Sequence, residues 1–130
     1  MENKSNDASP RPDGSREVNA RMVEMDVYKF IDQLKQEPNW VNGDRNTMTI
    51  FKSETMRIVL MGLHEKAELK AHKANGVISV QVVEGKINFT AEEQTASLEK
   101  GQMIALQANI IHSVKALSDS FFLLTLAMNL

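Results

Sequence analysis

After Asn42-Gly43 the chain breaks into short runs rich in Val, Ile, Thr and Phe, each closed by a few turn-forming residues. The runs are Thr47–Phe51, Met56–Leu63, Glu68–His72, Val77–Val83, Lys86–Ala91, Thr95–Leu98, Met103–Gln107, Ile111–Lys115 and Ser120–Ala127. Asn75-Gly76, Glu84-Gly85, Lys100-Gly101 and Ser118-Asp119 are among the turns between them. Strand-length runs recurring every 8–12 residues or so build antiparallel sandwiches and barrels, not alternating strand–helix units. The expected fold class is therefore all-β. Met56–Leu63 and Phe121–Ala127 are apolar on both faces, so the outer surface of their sheet needs a cover. A second sheet, an N-terminal helix or a sister subunit could supply it, and a homodimer burying Phe121 and Leu123 is expected.

The first 43 residues have a different character. Residues 1–19 are polar, hold two of the three prolines and offer almost nothing to bury, so they are expected to be a disordered tail. Within 20–46, Val27, Phe30, Ile31 and Leu34 fall on one helical face, with Asp26 as N-cap and Pro38 beyond the end. Such a short amphipathic helix must lie on the β domain, 47–130, with Trp40 as a further anchor.

Composition removes several function classes. Fifteen Lys+Arg against seventeen Asp+Glu leave a net charge of -2, without the basic excess of a nucleic-acid binder or a polybasic membrane anchor. With no cysteine there is no disulfide, thiolate metal site or Cys nucleophile, and His and carboxylates are the available ligands. No segment reads as a membrane span or signal peptide, so the expected location is cytoplasmic. No phosphate-binding Gly-rich loop, nucleophile elbow or His-Glu-x-x-His helix occurs, and Ser113 points away from its neighbour His112 on a strand. The eight methionines read as core filling. Glu65-Lys66 and Glu92-Glu93 read as solvated turns, and His64 as an exposed turn residue.

His72 and His112 stand inside strand patterns, in HKANGVISVQVVEG and KGQMIALQANIIHSVKA. On these segments the chain from Met56 to Ala127 resembles a small single-domain cupin of the RmlC-like, cupin type-2 kind. The first motif of that family has two His one residue apart, then a Glu, then a Gly closing a hairpin. The second has a Gly, a Pro-x-Gly turn and a further His. His72, Gly85, Gly101 and His112 match in order. Ala74 replaces the second His, Ile78 (or Ser79) the Glu, and Gln107 and Asn109 the Pro and Gly of the turn. Asn109 can still adopt the left-handed backbone that turn needs.

The resemblance implies a double-stranded β-helix, or jelly-roll, barrel, with one short N-terminal helix. Alternation then turns His72, Ala74, Ile78, Val80, Val82, Ile110, His112 and Val114 inward and Gln81 outward. The expected ligand pocket comprises His72, Ala74, Ile78, Val80 and His112: an aliphatic lumen with two convergent imidazoles, enclosing a small-molecule ligand. No cofactor is fixed by the sequence. The alternative is a divergent metal-dependent oxygenase or isomerase in which His72 and His112 hold Fe, Mn, Ni or Zn, with His64 or a distant carboxylate completing the sphere. Two matching ligands of four favour the binding reading.

Overall fold

The computed structural model describes residues 16–128, so most of the expected tail lies outside the described residues. Residues 16–19 run beside the first strand, where the Arg16 guanidinium donates to the Thr49 carbonyl at 2.6 Å and the Lys52 amide to Val18 at 2.9 Å. Helix α1 (Val27–Gln36) is capped by Asp26, whose carboxylate accepts from the Lys29 amide. Pro38 does not simply end it: at N1, where its missing N–H costs nothing, it starts a second short helix, α2 (Pro38–Val41), that carries Trp40.

Nine strands follow, one for each run: β1 (Arg45–Lys52), β2 (Met56–Leu63), β3 (Glu68–His72), β4 (Gly76–Glu84), β5 (Lys86–Ala91), β6 (Gln94–Glu99), β7 (Met103–Leu106), β8 (His112–Ala116) and β9 (Ser120–Met128). They form a five-stranded sheet, β1-β2-β9-β4-β7, and a four-stranded sheet, β3-β8-β5-β6, with every pairing antiparallel. Val59, Met61, Leu63, Ile78, Val80, Val82, Ile87, Phe89, Val114 and Phe122 meet between the sheets as the main core. Gln81 is exposed, as alternation predicts.

The two-sided apolar strands are explained within one chain. On the outer face of the five-stranded sheet, Ile31 and Leu34 of α1 and Trp40 of α2 close over Met48, Ile50, Leu60 and Phe121, with Leu123 half-buried beside them. This corrects the expectation that a sister subunit buries Phe121: the residue is 2% exposed in a single copy because the helices lie on it. Gly62 makes the approach feasible, since a Cβ there would stand 2.5 Å from the Phe121 ring and 3.2 Å from Trp40. Buried Asn46 ties helix to sheet, donating to the Leu34 carbonyl at 3.1 Å and to Glu37 at 2.9 Å. The Leu34 carbonyl, in the last helical turn, thus accepts from both the Asn46 side chain and the Glu37 amide, the latter at 3.3 Å.

Met48 and Met61 are core, whereas Met56 and Met103 are exposed. Among the described residues no helix is long and apolar enough to cross a membrane.

Candidate functional site

The turns closing one end of the sandwich bring the two motif segments together. The Asn109 amide donates to the Ala74 carbonyl at 2.9 Å, and Asn109 takes the left-handed conformation, φ 63°, where the family motif has Gly. Strict alternation alone would not bring His72 inward. Leu69 pairs with Val114 of the core, and His72, three residues on, pairs with His112, only two residues from Val114. The extra residue is a β-bulge, which reverses the facing of everything after it. The bulge sets His72 beside His112, ring centroids 4.4 Å apart.

The two imidazoles are held alike. Nδ1 of His72 lies 2.8 Å from the Lys70 carbonyl and Nδ1 of His112 lies 2.9 Å from the Ile110 carbonyl. A carbonyl only accepts, so each Nδ1 carries the hydrogen and each neutral ring keeps its Nε2 lone pair for an outside group. His112 is 5% exposed and lies nearly parallel to the Phe89 ring, centroids 5.4 Å apart, whereas His72 is exposed at the rim. Ala91 faces His112 in the register of β5 and β8.

Burial pushes the His112 imidazole below its ordinary value; the Ile110 carbonyl acts in the opposite direction, and neighbouring His72 lowers it further. Because the unfolded chain then takes up the proton first, the stability His112 contributes is complete above the ordinary histidine value, about 6.5, and is lost as pH falls below it. Urea unfolding should therefore weaken between pH 7.5 and pH 5.5 more steeply in the wild type than in His112→Phe. Equal losses in the two proteins would show that His112 does not carry this dependence.

The expected pocket residues part company in depth. Ile78, 3% exposed, and Val80, 1% exposed, belong to the packed core, with Leu106 and Leu126 flanking Ile78 in the sheet. Ala74, Leu69, Leu124 and Leu126 are only partly buried and pack against that core. A separate opening of about 220 Å³ lies between the free edges of β6 and β7, lined by Phe89, Ala91, Ala96, Ile104 and Leu106. Phe89 thus stands between this slot and His112. A larger hollow, about 720 Å³, lies beside Arg16, Met25 and Phe30 on the helix side of the five-stranded sheet, away from the histidines.

His64 does not join the site. It stacks on Trp40 at 3.6 Å, with Nε2 donating to the Trp40 carbonyl at 2.9 Å and Nδ1 3.3 Å from Asp119. It is half-buried structure at the opposite end of the sandwich, not the exposed turn residue expected. No group of three or more His, Cys, Asp or Glu able to hold a metal occurs among the described residues. With hydrocarbon at Ile78 and only two imidazoles converging, the donor set falls short of the three protein ligands usual at a catalytic metal.

Sequence reasoning missed Phe89 as a wall of the site, although it continues the inward alternation of Ile87 and Ala91.

No family model matches the chain, and no curated protein matches it in sequence. Its fold is that of solved cupins. A cupin superfamily protein from Desulfitobacterium hafniense superposes with a TM-score of 0.64 at 15% identity, over 65% of this chain and 78% of that one. A conserved protein of unknown function from Streptococcus pyogenes gives 0.65 at 22% identity, over 75% and 85%. Salicylate 1,2-dioxygenase from Pseudoaminobacter salicylatoxidans gives 0.65 at 18% identity, over 77% of this chain but 32% of the enzyme.

Proposed function

We propose that this cupin-fold chain binds a small, mainly apolar organic molecule at the His-bearing mouth of the barrel. The observation that carries the reading is the matched orientation of His72 and His112, each Nδ1–H fixed on a backbone carbonyl and each Nε2 left as an acceptor. A ligand with an apolar body and one O–H or N–H group would place that donor on the imidazoles and its body against Leu69, Ala74 and Leu126.

The metal-dependent oxygenase or isomerase reading draws on the same feature, because an Nδ1–H held by a carbonyl is how metal-binding histidines are commonly oriented. It lacks a third ligand among the described residues. The cytoplasmic location belongs to this proposal too. A homodimer would use a surface other than the one the helices cover, such as the exposed strip of Val77, Gln81 and Met103.

The test uses para-cresol, an aromatic ring with one O–H donor, titrated into isotope-labelled protein while the imidazole signals are followed. It should shift the signals of both His72 and His112, and His112→Phe should weaken its binding by about 5–10-fold, the equivalent of one hydrogen bond. Metal measured in protein purified without chelator should fall far below one ion per chain. Near-stoichiometric metal, lost in both His72→Ala and His112→Ala, would reverse the choice in favour of the enzyme.

A further inference from the structure

We infer that the ligand of this mouth is an acid, held by its carboxylate on Arg57, an inference that rests on the proposed function and specifies the ligand's charge. Val59, Met61 and Leu63 of β2 face the lumen, and Arg57 continues the same alternation one step nearer the mouth. Its register neighbour on β9 is Leu126, which pairs in turn with Ile78. Arg57 therefore lies at the end of the five-stranded sheet matching the His72–His112 row of the other sheet. At the other end of β1 from Lys52, the Arg45 guanidinium donates to the Glu68 carbonyl at the start of β3 at 2.9 Å, a tie between the two sheets.

Three observations point to an absent anion. The Arg57 side chain is half-buried and its Nε is buried with no hydrogen-bond partner, which a guanidinium, always charged, tolerates poorly. Opposite it in the β1–β2 register stands half-buried Lys52, a second cation on the same face. Like charges directly across two strands repel, and neither side chain has a hydrogen bond or ion pair among the described residues. Finally, the buried polar residues described, Asn46, Thr49, His112 and Ser120, include no carboxylate that could neutralise them from inside the lumen.

A ligand carboxylate meets each of these needs. Its planar pair of oxygens fits the guanidinium fork, Nε–H included, and its charge neutralises the facing cations. The apolar body would then span from Arg57 toward the imidazoles across Leu126 and Leu69.

The experiment compares phenylacetate and hexanoate with phenylacetamide and hexanamide, which keep the shape and lose the charge, and with inorganic phosphate. The wild type should bind each acid at least about tenfold more tightly than its amide, as expected for a charge-assisted pair. Arg57→Gln should erase that preference; Arg57→Lys should retain part of it. Lys52→Gln, which leaves the guanidinium in place, should reduce the preference without abolishing it.

Equal affinity for acid and amide in the wild type would overturn the inference while para-cresol binding still supports the proposed function. So would phosphate binding as tightly as phenylacetate with the same dependence on Arg57, which would mark an inorganic-anion site. Failure of para-cresol and all the acids to bind would overturn both.

Discussion

Phe121→Ala should cost about 3–5 kcal/mol and leave much of the protein unfolded at moderate temperature. The ring is 2% exposed and sits where three elements meet: Trp40 of α2 lies 4.9 Å away, Gly62 of β2 has given up its side chain to make room, and Ile31 and Leu34 of α1 close the cluster. Removing it leaves a cavity that Gly62 cannot help to fill, so only a shift of the helices would close it. Urea denaturation followed by Trp40 fluorescence measures the loss directly. A cost below about 1 kcal/mol would mean that the helices are not firmly seated and that the outer cluster stabilises little. Phe121→Asp, for the same reason, reports on folding of a single chain and not on dimerisation.

Phe89→Ala should have an effect of similar size, about 3–5 kcal/mol, and a second consequence at the site. Phe89 is 2% exposed, lies in the main core and supplies the wall between His112 and the slot beside β7. Without the ring, water reaches His112, and the burial that depresses its titration is relieved. The variant should be less stable at every pH and should show a higher His112 titration midpoint by imidazole nuclear magnetic resonance. A midpoint unchanged by the substitution would mean that Phe89 does not shield the ring from solvent. Phe89→Leu, which keeps an apolar body, should recover part of the stability and part of the depressed titration.

The strands were legible because each is a local event: Met56–Leu63, Glu68–His72 and Lys86–Ala91 begin and end in the structure where their turn residues place them. Cover for the outer sheet face was legible as a need but not as a solution. Ile31 and Leu34 could be seen to require an apolar surface, yet nothing local says that Gly62 and Phe121 provide it. Asn46, bonded to the end of α1, was invisible for the same reason: its value depends on a partner twelve residues away that only the folded helix supplies.

At the candidate site, Asn109 could be read because left-handed turns have few candidate residues. Pairing His72 with His112 could be argued from alternation and from the resemblance, but the bulge that actually delivers His72 leaves no signature in the run ELKAH. Arg57 is the opposite case. Extending the alternation of β2 by one step would have put a cation on the lumen face, a conflict between pattern and residue that often marks function.

The irregularity in β3 also bears on how the molecule behaves among its copies. β3 is the outermost strand of the four-stranded sheet, and an outermost strand presents unpaired backbone on which another chain could build. The displaced register interrupts that ladder, and exposed Glu68 and Lys70 put charge along it. The distortion that turns an imidazole toward the mouth therefore also protects that rim of the sheet from being extended by a neighbour.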